Sequence, residues 1–328
     1  MYKVTTTDLL KPVVPEEAIL RENGASLIYG DCKTEAELIE LTQNADAIIN
    51  VYAQLTATVI NSLLRCQVIV RRGIGYDNVD VKVATAKGIA VVNVPDYCID
   101  EVADHTMALL LCTARRVILA REQVKSGGWD FRQFLPIPAL KDCTLGLVGF
   151  GKVARAVAER AKCFGLKVQT TDPFISPEFA SEHGVELVSL EELLSSSDFV
   201  SLHVPLTKDT RGLFSKREFA MMKPSAVVIN TSRGPVVNEE ALREALQSGE
   251  IAFAALDVMT QEPPIPNSPL LGMDNVIVTP HLAWYSERSA RVVGEKAAKE
   301  IVRVLKGYFP RCLVNPEVKA KLHLREKE

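Results

Sequence analysis

The sequence predicts an α/β protein of two domains, each built on a parallel sheet. Short β-branched runs alternate repeatedly with amphipathic stretches. Runs that are apolar on both faces suit strands buried inside a parallel sheet, and the amphipathic stretches suit the helices that cover it. The alternation runs once to about residue 94 and begins again at residue 145. A chain of 328 residues also exceeds what a single hydrophobic core ordinarily organises.

In chain order, M-Y-K-V-T-T-T-D reads as a first strand. It lacks the basic start, apolar stretch and small-residue cleavage site of a secretory signal, so a cytoplasmic protein is expected. A-D-A-I-I-N-V (45–51), C-Q-V-I-V-R (66–71) and I-A-V-V-N-V (89–94) read as strands, with helical patterns at 56–65 and 79–88 between them. Residues 100 to about 117 contain no glycine or proline and read as one long connecting helix. A strand and helix follow at 145–161, then strands at 166–171, 198–203, 226–230, 252–257 and 275–278. A helical stretch at 286–305 carries the chain toward its end and is placed to cross back to the first domain.

With 47% hydrophobic residues, 24% charged residues and a net charge of -3, the composition is that of a globular protein without a dominant basic surface. Nucleic acid and anionic membranes are not expected as partners, and no apolar run approaches the ~20 residues that span a bilayer. The seven cysteines form an odd set with no C-x-x-C pair and no adjacent histidine pattern, so reduced thiols and no metal site are expected.

The strand at 145–148 runs into Gly149-Phe150-Gly151-Lys152-Val153-Ala154 and a helix, giving G-x-G-x-x-A. Alone, such a turn often serves only strand-to-helix packing. Here Asp172 ends the next strand about twenty residues on, where a carboxylate accepts hydrogen bonds from ribose hydroxyls. Gly149 suits the tight turn, Gly151 lets backbone approach a pyrophosphate, and the helix N-terminus at Lys152 and Val153 favours its charge. These features predict a Rossmann domain binding a dinucleotide. A 2'-phosphate needs a cation where Asp172 stands, so NAD is favoured over NADP.

Farther on, H-V-P-L-T (203–207), I-N-T-S-R-G (229–234), A-L-D-V (255–258), Q-E-P (261–263) and T-P-H (279–281) each lie at or just past the end of a predicted strand, the edge where ligands bind in open α/β sheets. Arg233 alone reads as a solvated or salt-bridged cation, and Glu262 alone as a loop acid. Together with His281 they supply a cation for a substrate oxygen, an imidazole, and a carboxylate to support the imidazolium. Among the other histidines, His105 falls inside the connecting helix, His183 in a turn and His323 in a charged tail, and none is assigned chemistry.

From about Val70 to Trp284 this ordered set, with R-R-G-I-G-Y-D-N-V-D (71–80) and E-V-A-D-H-T, resembles the D-isomer-specific 2-hydroxyacid dehydrogenases. H-L-A-W-Y-S-E (281–287) is most similar to the branch containing the C-terminal binding proteins. The resemblance implies an NAD-binding Rossmann domain (100–284) inserted in a flavodoxin-like substrate domain (1–99 and 285–328), a cleft between them, and a homodimer. It assigns His281 to acid/base transfer, Glu262 to orienting His281, and Arg233 to the substrate carboxylate and carbonyl oxygen. Asp257 takes the nicotinamide end of the cofactor. His203 and Pro205 line its adenine side, and Thr210, Thr231 and Ser232 are further cofactor contacts. The N–H groups of Gly73, Ile74 and Gly75 receive the substrate carboxylate, with Arg71 adding charge; Arg72 has no assigned place. Trp284 either walls the substrate side chain or anchors the start of the last helix.

The expected activity is interconversion of a D-2-hydroxy acid and a 2-oxo acid. Two other readings stand beside it. One is an NAD(H)-responsive co-regulator; the other is phosphoglycerate dehydrogenase, against which the sequence sets the short stretch after the last helix and the lack of identifiable phosphate-binding cations.

Overall fold

The computed structural model describes residues 1–8 and 14–326; residues 9–13, 327 and 328, which the expected domain division also covers, lie outside the described residues. The chain forms two compact units, Met1–Tyr97 with Ser286–Glu328, and Cys98–Tyr285. In the first stretch the elements are β1 (Tyr2–Thr6), α1 (Val14–Glu22), β2 (Ala25–Ile28), α2 (Glu35–Thr42), β3 (Ala47–Asn50), α3 (Ala57–Ser62), β4 (Val68–Arg71), α4 (Val81–Ala86) and β5 (Ala90–Val92). The second unit holds α5 (Ile99–Ala114), α6 (Val117–Lys125), β6 (Thr144–Val148), α7 (Lys152–Cys163), β7 (Lys167–Thr171), α8 (Pro177–Glu182), β8 (Glu186–Leu187) and α9 (Leu190–Ser196). It continues through β9 (Phe199–Leu202), α10 (Lys216–Ala220), β10 (Val227–Asn230), α11 (Glu239–Ser248), β11 (Phe253–Leu256) and β12 (Val276–Val278); α12 (Glu287–Leu305) belongs to the first unit.

The first unit carries a parallel five-stranded sheet in the order β2-β1-β3-β4-β5, the flavodoxin-like order of a doubly wound sheet. Every residue of β3 is buried, which explains why it reads as a continuous apolar run. Burying Ile48 and Ile49 completely contributes about 2 kcal/mol each. α12 turns a face of Val293, Ala297, Ala298, Ile301 and Val304 inward, at the spacing of one helical stripe. Where α12 meets α1, a Cβ on Gly294 would lie 2.4 Å from the Glu16 carboxyl, so the glycine admits the buried acid. Glu16 accepts from Arg72 Nε at 2.7 Å, and Arg72 donates a second bond to Ala290 O at 3.0 Å. The arginine that the sequence left unassigned thus ties the end of β4 to α1 and α12.

The second unit carries a parallel seven-stranded sheet in the order β12-β11-β10-β9-β6-β7-β8, which is the Rossmann winding extended by one strand. Its core lies on both faces, with Leu145, Leu147, Phe150 and Val157 on one and Val200, Leu202, Val228 and Leu242 on the other. The connecting helix expected over 100–117 is α5, which stops three residues short of that end; a separate helix, α6, follows. α5 ends at Ala114 and Arg116 takes a left-handed φ of 54° before α6 begins. The Arg116 guanidinium lies 3.8 Å from the Phe253 ring centroid and donates to Thr113 O. That tertiary stacking holds a conformation that L-residues rarely adopt. No helix among the described residues is long and apolar enough to cross a membrane.

Candidate active site

The winding of the second sheet reverses between β6 and β9, the crevice where such folds bind ligands. Gly149 ends β6 there with φ 86°, and a Cβ on it would lie 2.9 Å from His203 O at the end of β9. Both the positive φ and the close approach demand glycine. A Cβ on Gly151 would meet nothing within 4 Å, so the space above it is open. The helix that starts at Lys152 and Val153 has Gly151 at its N-cap and no side-chain cap, leaving its first amides available to an anion. Asp172, just past β7, accepts from Phe150 N and Phe174 N, both at 2.8 Å, which pins the carboxylate beside the glycine turn. An open glycine turn, an uncapped helix and a fixed acid fit NAD.

Along the same edge, His203 Nε2 lies 2.9 Å from Ser201 Oγ, and burial pushes the imidazole down to about 4, so the ring is neutral near pH 7. Pro205 O accepts from Thr210 Oγ1 at 2.5 Å, which closes the loop after β9. Thr231 Oγ1 lies 2.9 Å from Thr106 Oγ1 on α5. Ser232 donates from both N and Oγ to Asn230 Oδ1, and Asn230 returns a bond to Arg233 O at 2.9 Å. These bonds shape the turn that carries Arg233. Gly234 follows because a Cβ there would sit 2.0 Å from the Met259 carbonyl carbon.

Glu262 Oε2 lies 2.6 Å from His281 Nδ1, and Glu262 Oε1 accepts from Met259 N at 3.0 Å. Burial alone pushes the Glu262 carboxyl up, but the bond and charge of His281, the Met259 N–H and the Arg233 charge together hold it below the usual carboxylate range. The structure thus brings Arg233, Glu262 and His281 into one electrostatic group. His281 has φ 50°, a strained backbone for a side chain of its size. Its N–H donates to Asp257 O at 2.8 Å. The buried Asp257 carboxylate accepts from Thr279 Oγ1 at 2.5 Å and from Leu282 N and Ala283 N at 2.9 Å. The acid expected at the nicotinamide end therefore also clamps the loop that bears His281. Trp284 is half-buried and meets Tyr285 edge-on, with ring centroids 5.5 Å apart.

In the first unit, the glycine loop follows β4. Gly73 O accepts from Val94 N at 2.9 Å, and Ile74 O accepts from Asn93 Nδ2 at 2.7 Å. Because N–H and C=O point oppositely across a trans peptide, these two anchors aim the N–H groups of Ile74 and Gly75 away from the 93–94 segment. The expectation of three converging amides narrows to two, since Gly73 donates its own N–H to Arg71 O at 2.8 Å. Arg71 folds back over the loop, donating to Arg72 O, and a Cβ on Gly73 would lie 1.6 Å from its Nη1. At the reversal of this sheet, Asp8 accepts from the amides of Val51, Tyr52 and Ala53.

Sequence reasoning missed two residues. Asn93, which aims the glycine loop, carries no local signal. His105 faces the loop end with Nε2 3.0 Å from Thr279 Oγ1 and 3.5 Å from Asp257 Oδ1; its position inside a helix gave no hint of a partner 174 residues away.

Comparison with known proteins accords with this geometry. Residues 107–283 match the model of the D-isomer specific 2-hydroxyacid dehydrogenase NAD binding domain. The chain is 40% identical to a D-3-phosphoglycerate dehydrogenase of Archaeoglobus fulgidus over 94% of its own length, and spans 59% of that enzyme. It is also 40% identical to a glyoxylate reductase of Thermococcus litoralis, covering 94% of this chain and 98% of the relative. Among solved structures, D-lactate dehydrogenase of Aquifex aeolicus, complexed with NAD and lactic acid, superposes with a TM-score of 0.84 at 29% identity, covering 99% of this chain and 100% of that one. The finer resemblance to C-terminal binding proteins draws no support from these relatives. By the family match and by identities that run nearly the whole chain, the protein belongs to the D-isomer-specific 2-hydroxyacid dehydrogenases and carries their NAD-binding domain.

Proposed function

We propose that the protein is an NAD-dependent dehydrogenase interconverting a D-2-hydroxy acid and a 2-oxo acid, with His281 as the acid/base. The observation that carries this reading is the 2.6 Å contact between His281 Nδ1 and Glu262 Oε2, set at the ligand edge of the sheet that bears the dinucleotide turn. With Nδ1 engaged by the Glu262 carboxylate, Nε2 is assigned the proton exchange with a substrate oxygen. NADH, when bound, supplies the hydride for the carbonyl carbon. In reduction, imidazolium His281 gives the Nε2 proton to the carbonyl oxygen, and Arg233 stabilises the charge developing there. In oxidation, neutral His281 takes the hydroxyl proton at Nε2, and Glu262 stabilises the resulting cation. Gly149, Gly151, Lys152 and Val153 hold the pyrophosphate, and Asp172 accepts from the ribose hydroxyls and repels a 2'-phosphate. Within the first unit, the amides of Ile74 and Gly75 are the receptor for a carboxylate.

The protein is further read as a homodimer. Val117, Val124, Trp129, Phe131 and Leu135 of the second unit are all about half exposed or more, and a second copy covers this apolar segment; Trp129→Glu should shift sedimentation to the monomer if this segment is the interface.

The test is NADH oxidation with a panel of glyoxylate, pyruvate, hydroxypyruvate, phosphohydroxypyruvate and a branched-chain 2-oxo acid, with the product assayed for D configuration. Reduction of at least one to the D-hydroxy acid is expected. If NADH binds and none is reduced, the NAD(H)-responsive binding protein takes the place of the enzyme.

A further inference from the structure

We propose that His105 is a positioning residue for the reaction: through Thr279 it locks the Asp257 carboxylate that holds the His281 loop in its left-handed conformation. This rests on the reading of His281 as the acid/base. Asp257 is only 1% exposed, and a buried carboxylate must be met by donors or it becomes a liability. It is met by three from one short loop: the Thr279 hydroxyl and the amides of Leu282 and Ala283. These bonds bracket His281, whose own N–H is spent on Asp257 O and Thr279 O. The loop thus wraps the acid, and the φ of 50° at His281 is the backbone cost of that wrapping, persisting only because its surroundings over-determine it.

Thr279 is the member of the clamp held by a side chain from another element. Its hydroxyl has one hydrogen, and the 2.5 Å contact to Asp257 Oδ1 uses it. The second contact, at 3.0 Å to His105 Nε2, must therefore bring a donor, which assigns the Nε2–H form to His105. From α5, His105 turns the Thr279 hydroxyl toward the acid, and Nε2 lies 3.5 Å from Asp257 Oδ1 itself. Without that donor, Thr279 is free to rotate away, Asp257 loses a partner, and the segment 279–283 relaxes from a conformation it does not intrinsically favour. A shift of His281 on the order of 1 Å costs about 100-fold in turnover without touching the dinucleotide turn.

The experiment uses the full chain, NADH and whichever 2-oxo acid of the panel is reduced fastest, with His105→Ala, His105→Gln, Thr279→Val and the double variant His105→Ala/Thr279→Val. His105→Ala is expected to lower kcat by about 10- to 100-fold with KM and NADH affinity by fluorescence titration unchanged. His105→Gln restores turnover, because its amide nitrogen reaches the place of Nε2. Thr279→Val reproduces the loss, and the double variant loses no more than either single one. Unchanged kcat in His105→Ala, additive losses, or failure of glutamine to restore turnover overturns the proposal. If His105→Ala does not fold, Thr279→Val and His105→Gln decide the matter alone. His281→Ala serves as the separate control: full turnover there removes the acid/base reading, whereas loss there with His105→Ala unaffected removes only the role of His105.

Discussion

His281 Nδ1 stands 2.6 Å from Glu262 Oε2, and the same carboxylate takes the Met259 N–H through its other oxygen. The acid is thereby fixed by backbone on one side and fixes the imidazole on the other. Because the folded Glu262 carboxyl lies below its ordinary value, its bonded, ionised form is fully present above the ordinary carboxylate range and is lost only as pH falls through the lowered value. Glu262→Gln should lower kcat for 2-oxo acid reduction about 100-fold, with NADH affinity by fluorescence titration preserved. Turnover equal to that of the parent protein would show that the pair is only structural.

Asp172 is held by two backbone amides beside the glycine turn, and in the proposed role its carboxylate meets the ribose hydroxyls and repels a 2'-phosphate. NADH should therefore outperform NADPH in kcat/KM, and Asp172→Ala should narrow the gap by about 10-fold or more. Equal efficiencies with the two cofactors in the parent protein count against this placement.

His203 has its imidazole pushed down by burial to about 4, against an ordinary 6.5. The unfolded chain therefore binds the proton first as pH falls. Stability attached to this residue is complete above pH 6.5 and erodes between 6.5 and about 4, by as much as about 3 kcal/mol. His203→Gln should flatten that slope when thermal midpoints are measured across the same range; parallel curves for the two proteins would place the acid sensitivity elsewhere.

The Glu16–Arg72 pair is buried, with side chains 0% and 10% exposed. Arg72→Met leaves the buried Glu16 carboxyl without its ion partner, and should cost about 3–5 kcal/mol in urea denaturation. The double variant Glu16→Met/Arg72→Met should recover most of that loss. A double variant as unstable as the sum of the single ones would mean that the two residues do not act as a pair.

Trp284 decides between a wall and an anchor. As a wall, it rewards apolar 2-oxo acids, so Trp284→Ala should lower kcat/KM for a branched-chain substrate by about 10-fold and leave glyoxylate unaffected. Equal loss on both, with a lower thermal midpoint, assigns the ring to packing against Tyr285.

What the sequence determined by itself follows from local rules. Strands such as Ile48–Ile49 and Val227–Ile229 are legible because a parallel strand covered on both faces must be apolar throughout. Gly149-Phe150-Gly151 is legible because its turn and the helix behind it are contiguous, and Asp172 because one β-strand fixes its distance from them. The set Arg233, Glu262 and His281 is visible as residues at strand ends, and their order along the chain carries the family resemblance. Tertiary structure alone decided the rest. No spacing shows that Arg116 leaves the helix to lie over Phe253, that Arg72 is consumed by Glu16, or that Gly73 spends its amide on Arg71 while Asn93 aims its neighbours. His105 is the clearest case: within α5 it has the periodicity of an ordinary helical residue, and only the docking of α5 against the β12 end brings it to Thr279. Hydrogen bonds act over about 3 Å of space, and separation along the chain does not encode which distant residues meet at that range.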